Sequence, residues 1–176
     1  MEEPIERRRL LAMGGVAGAA LPAIAIASTN HDAARKGAPM CKQTVEVPKD
    51  NAIFGVSQAA FEKYGYSPAV RASGLLFIAG VVGVKPDGTV PDSVAEQAEL
   101  ALRRTAEILR LEGLGMADLV EVVSYHVDVA NNLAEFMPVK ERFFERPFPA
   151  WSIIGVQALA RPVLKVEVRS IAALRS

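Results

Sequence analysis

Two alternating runs near the C-terminal end of this 176-residue chain carry side chains able to do chemistry. In the run from Leu164 to Ala172, a period of two puts Lys165, Glu167, Arg169 and Ile171 on one side and Val166, Val168 and Ser170 on the other. Glu167 and Arg169 are therefore neighbours on one strand face. A carboxylate there can orient water or bind an amine, and a guanidinium can grip a carboxylate through two parallel hydrogen bonds. The bland alternative is an ion pair with no ligand between the two. The second run, Val122-Val-Ser-Tyr-His-Val-Asp128, holds His126, whose face also carries Val122, Ser124 and Asp128. Imidazole serves as acid or base near neutral pH, or it sits inside a strand as a structural residue. Glu167 and His126 are the candidate catalytic groups. No second histidine, cysteine pair or carboxylate cluster lies at metal-ligand spacing, so neither a metal site nor a cofactor is expected.

These residues need a scaffold of strands and helices. Pro68 to Gly80 reads as two short strands joined at Ser73-Gly74, the second nearly all apolar, and Lys85-Pro-Asp-Gly-Thr89 is a turn by composition. From Ser93 the period lengthens. Val94, Ala98, Ala101, Leu102, Ala106, Ile108 and Leu109 form a helical stripe opposite Glu96, Glu99, Arg103, Arg104 and Arg110. Ser93 with Glu96 is a capping-box pattern, and Gly113 and Gly115 end the helix. A strand over 119–129, a second helix over 131–146 halted by Pro147, and strands over 150–159 and 164–174 complete the reading. That order predicts an α+β domain: an open sheet with both helices packed on one face.

Ahead of the domain, Arg7-Arg8-Arg9-Leu10-Leu11 opens an uncharged Gly/Ala-rich run to Ala27. Residues 1–27 match a twin-arginine-type signal peptide with small residues before a cut after Ala27, or alternatively after Ala25. The reading implies a periplasmic or otherwise exported protein with no stable membrane anchor once the signal is removed. Residues 28–52 lack sustained periodicity and read as a flexible linker, leaving 53–176 as one domain. The lone Cys41 cannot form an internal disulfide. Acids and bases balance at 20 each, and aromatic residues make up only 6% of the chain. Nucleic acid is not an expected partner, because neither a basic face nor stacking rings are provided.

The segments Tyr66-Ser-Pro-Ala-Val70, Leu75-Leu-Phe-Ile-Ala-Gly80, Ala117-Asp-Leu-Val-Glu-Val-Val-Ser-Tyr-His-Val-Asp128, Phe143-Phe144 before Pro149-Ala150, and the closing alternation occur in one order. Together they resemble the RidA (YjgF) family over residues 64–174. The resemblance implies a RidA-like (chorismate-mutase-like) mixed sheet, a homotrimer that covers the open face, and a small-molecule pocket between subunits. It also implies cofactor-free deamination of a reactive imine or enamine, in which an arginine grips the substrate carboxylate and a glutamate positions the attacking water. The chain departs from that pattern. Trp151 stands in the arginine position, Ala79 in that of a pocket serine, Met137 in that of a helix asparagine and Arg169 in that of the second strand glutamate, while Tyr66 is kept. The expected substrate-binding set is thus Tyr66, Trp151, Arg169, Met137 and Ala79. Trp151 either stacks on a planar ligand or packs against a neighbouring subunit. The alternative function is a non-catalytic trimer that binds a metabolite or a partner protein.

Overall fold

The computed structural model describes residues 42–175. Residues 1–27, read above as a signal, and residues 28–41 of the expected linker lie outside the described residues. The described elements run β1 (Gln43–Val45), α1 (Ala60–Tyr64), β2 (Ala69–Ala72), β3 (Leu75–Val82), α2 (Val94–Leu111), β4 (Leu119–Val127), α3 (Val129–Phe143), β5 (Ala150–Val156) and β6 (Val166–Ala173), with a 3₁₀ turn over Gly55–Ala59 leading into α1. They build one sheet in the order β1-β2-β3-β6-β4-β5. The β1–β2, β2–β3, β3–β6 and β4–β6 pairs are antiparallel, and β4–β5 is parallel.

Each connection follows from local chemistry. The β2–β3 hairpin turns at Ser73 and Gly74, with φ of 53° and 77°. Positive φ at both central positions is the primed turn whose twist matches the flanking strands. Helix α2 starts where the Ser93 hydroxyl accepts a hydrogen bond from the Glu96 amide at 3.2 Å, and it ends before Gly113, which adopts φ 69°. A parallel pair cannot close through a tight turn, so α3 provides the crossover from β4 to β5.

The alternation along β6 divides the sheet into two unlike faces. Val166, Val168 and Ala172 are buried under the helices, and Glu167, Arg169 and Ile171 lie half-exposed on the opposite face. Leu76 and Ile78 of β3, Ala98, Leu102 and Leu109 of α2, and Phe136 and Val139 of α3 join the same core. Fully burying one such Leu or Phe side chain contributes about 1.5–3 kcal/mol. The other face carries Val70, Phe77, Val123 and Ile171, and among the described residues α2 and α3 do not cover it.

Three features differ from the sequence reading. The ordered domain begins upstream of residue 53, because Val45 and Val47 alternate with exposed Thr44 and Glu46 and bury themselves beside β2. The 3₁₀ turn and α1 are too short to show a period. Arg104, assigned above to the solvent side of its helix, is only 4% exposed.

Gln97, fully buried on α2, ties that helix to the loop entering β6. Its amide donates to the carbonyls of Pro91 at 2.8 Å and Val163 at 2.9 Å, and its oxygen accepts from the Lys165 amide at 2.8 Å. Replacing Gln97 by alanine strands these partners and is expected to destabilise the domain by about 3 kcal/mol, read as a lower urea midpoint at unchanged slope. A midpoint equal to wild type would refute this role.

Candidate functional site

A chamber opens where β2 stops short of β3. The last β2–β3 partners are Ala69 and Ile78, the Ala79 amide still donates to the Pro68 carbonyl at 2.9 Å, and beyond it β3 runs on with a free edge. The segment that precedes β2 covers this edge, and a cavity of about 680 Å³ remains between them. Phe54, Ser57, Phe61 and Tyr66 line it from the covering segment, Ala79, Gly80 and Val82 from β3, Arg104 and Ile108 from α2, and Glu167 from β6. The volume lies within the range of small-molecule sites, roughly 300–1,000 Å³.

A bulge gives Glu167 its place. The β3–β6 register slips between Ile78 and Val81, leaving Ala79 and Gly80 in the irregularity. A Cβ built on Gly80 would lie 1.9 Å from Glu167 Oε1, so the carboxylate rests directly over the glycine. Only a residue without a side chain leaves that room. Burial raises the Glu167 pKa above the usual carboxylate value. A desolvated carboxylate is a stronger base than one in water, which suits a group that must orient and deprotonate water.

Tyr66 stands against the edge of the Phe61 ring, with centroids 5.2 Å apart. Its phenol pKa is raised first by burial and then by the Glu167 charge, with Arg104 opposing. The phenol therefore lies within electrostatic reach of both an acid and a cation. Arg104 donates through one terminal nitrogen to Ser57 Oγ at 2.6 Å and to the Phe54 carbonyl at 3.5 Å, and its guanidinium sits 5.0 Å from the Phe54 ring centroid. Burial lowers its pKa to about 10, which leaves it charged at neutral pH.

Of the residues singled out in the sequence, Tyr66, Ala79 and Glu167 meet in this chamber, and the others do not. Arg169 shares the open face with Glu167, opposite Val123, but does not line the cavity. His126 is fully buried on the helix side of β4, edge-on to Phe136 at 4.8 Å, with neither ring nitrogen hydrogen-bonded. The two candidate catalytic groups, Glu167 and His126, are therefore not brought together, because residues 126 and 167 belong to opposite faces of the sheet. Trp151 is also held on the helix side. Its Nε1 donates to Ser124 Oγ at 2.9 Å, its ring lies 6.1 Å from Phe136, and Lys140 Nζ stands 4.4 Å from its ring centroid. Met137 is half-buried on α3, away from the chamber lining. Among the described residues no three His, Cys, Asp or Glu side chains gather to hold a metal.

Arg104 and Ser57 were missed as site residues. The signal for Arg104 was present: it lies seven residues after Gln97, three after Ala101 and four before Ile108, on the flank of the apolar stripe. Ser57 lies in the short 3₁₀ turn and carried no pattern.

The family model described as "Endoribonuclease L-PSP" matches residues 57–174. The chain belongs to the RidA (YjgF) family. The "RutC family protein YjgH" of Escherichia coli K12 is 35% identical over 111 residues, which is 62% of this chain and 85% of that protein. "Reactive Intermediate Deaminase A, chloroplastic" of Arabidopsis thaliana is 38% identical over 114 residues, 62% of this chain and 58% of that longer protein. The bovine (Bos taurus) "2-iminobutanoate/2-iminopropanoate deaminase" is 32% identical over 61% of this chain and 78% of its own length. Among solved structures, Protein YJGH superposes with a TM-score of 0.65 at 29% identity, over 76% of this chain and 98% of its own. The serine-bound TdcF of E. coli gives 0.58 at 29% identity, over 63% and 88%. Family membership agrees with the α+β fold and its mixed sheet.

Burial lowers the His126 pKa below the ordinary 6.5. Below that pH the unfolded chain binds a proton that the folded chain refuses, so this contribution to stability is complete above it and lost as pH falls toward the folded pKa. His126→Leu is expected to flatten that part of the stability profile, measured by urea unfolding at a neutral and a mildly acidic pH. Equal acid sensitivity in both proteins would remove His126 as the cause.

Proposed function

We propose that this chain hydrolyses small reactive imines or enamines without a cofactor, with Glu167 as the group that handles water. The carrying observation is the Glu167 carboxylate seated over Gly80, with its pKa raised, in a chamber that it shares with Tyr66. Relatives described as a reactive intermediate deaminase and as a 2-iminobutanoate/2-iminopropanoate deaminase support the same chemistry. In the proposed step, water attacks the imine carbon, a C–O bond forms, and Glu167 takes a water proton. Glu167 returns that proton to the nitrogen to give the carbinolamine, whose hydroxyl proton then passes through the same carboxylate to the nitrogen as the C–N bond breaks, and ammonia leaves beside a carbonyl product. Tyr66 orients the substrate.

The functional unit in this reading is a homotrimer. The apolar residues of the uncovered sheet face and the exposed Ile153 and Ile154 of edge strand β5 support it, since an unpaired apolar edge is open to pairing with another chain. Subunit association would also place Arg169 in a seam. Sedimentation equilibrium is expected to give three chains per particle, and a monomer at micromolar concentration would overturn the trimer.

The chemical step is tested with 2-iminopropanoate generated in place from alanine by an amino-acid oxidase, following ammonia and pyruvate. Glu167→Gln is expected to lower kcat/KM about 100-fold, the usual loss for a general base. Wild-type kcat/KM should rise with pH through an ionisation above the ordinary glutamate value of 4.5, and the variant should lack that step. Release no faster than in buffer, or a Glu167→Gln protein as fast as wild type, would sink the reading.

A further inference from the structure

Arg104 is a buried cation for which the described residues supply no ion-paired carboxylate. Its residue is 4% exposed, its Nε has no hydrogen-bond partner, and among the described residues no carboxylate forms an ion pair with it. Its protein partners, Ser57 Oγ and the Phe54 carbonyl, are both neutral and both engage the same terminal nitrogen. Burying an arginine unpaired costs several kcal/mol, and that cost is offset when an anion arrives in the same low-dielectric space. The side chain lines the 680 Å³ chamber together with Tyr66 and Glu167.

We propose that Arg104 is the anion-binding group of this chamber and that it receives the carboxylate of a small 2-imino or 2-oxo acid. The inference rests on the imine-hydrolase reading and adds the residue that selects the substrate. The required guanidinium comes from helix α2, while Trp151, which stands where a strand arginine is expected, is committed to Ser124 and Phe136 on the helix side. A carboxylate held by Arg104 leaves the neighbouring carbon of the ligand free to face Glu167, which lies over Gly80 and lines the same chamber. Lys63 and Arg161 also line the cavity, but both side chains are exposed, and water already solvates their charge.

The test measures binding apart from turnover. Pyruvate and its neutral isostere pyruvamide are titrated calorimetrically into the purified chain. Pyruvate is expected to bind at least about tenfold more tightly than pyruvamide, and Arg104→Met should remove that difference, since truncating one side of a desolvated charge pair costs at least that much. Lys63→Met and Arg161→Met should keep wild-type affinity. Equal binding of the two ligands by wild type, or full pyruvate affinity in a folded Arg104→Met protein, overturns the proposal. Should Arg104→Met fail to fold, the Arg104 Nε–H resonance of ¹⁵N-labelled wild type decides. A shift with pyruvate but not pyruvamide supports the proposal, and no shift with either overturns it. Pyruvate binding through Arg104 without imine turnover would leave this inference standing and remove the hydrolase reading. Turnover with an unchanged KM in Arg104→Met would do the reverse.

Discussion

The carboxylate of Glu167 and the backbone of β3 compete for one volume, and the sheet resolves the competition by slipping its register between Ile78 and Val81 and placing glycine at residue 80. Because β2 ends at the same level, the free edge of β3 is covered by the segment before β2 rather than by another strand. Cavity, bulge and half-buried acid are thus consequences of one break in the ladder. A regular β3 paired along its full length would leave no chamber and no room for the side chain.

The helix side of the sheet has taken a different course. His126, Phe136 and Trp151 form an aromatic layer between β4, β5 and α3, with the Trp151 indole bonded to Ser124 and capped by the Lys140 ammonium. Such a layer supplies packing area and a cation–π contact and places no group in the chamber. The polar groups that could serve chemistry have instead collected at the β3 edge: Glu167 from the central strand, Tyr66 from the loop after α1, and Arg104 from α2. Three elements distant in sequence contribute one charged or polar group each, and their mutual influence is visible in the Tyr66 pKa, which Glu167 raises and Arg104 lowers after the larger effect of burial.

Much of the scaffold was legible because its periods are strong. The Ser73-Gly74 hairpin, the capped start of α2, and the inside-outside alternation of β6 follow from turn chemistry, hydrogen-bond capping and strand geometry, all of which act within a few residues. The alternation also fixed Glu167 and Arg169 on one face and Val166 and Val168 on the other. Short pieces escaped. The 3₁₀ turn and α1 have too few residues to show a period, and β1 hid in a polar segment whose only marks are Val45 and Val47.

What the residues alone determined, then, is the order of elements, the two faces of each strand, and the presence of a carboxylate on the uncovered side of the sheet. Tertiary structure decided which of the charged groups meet. His126 and Glu167 alternate in the same way along their own strands, yet the β4–β6 register pairs His126 with Val166 and Tyr125 with Glu167, which sends the two candidate groups to opposite faces. Arg104 looked like one more basic residue on a solvated helix until the segment before β2 folded across it and excluded water. Local periodicity specifies direction relative to an element's own axis, whereas register and coverage depend on contacts between segments far apart in the chain, and those set the chemistry available to the site.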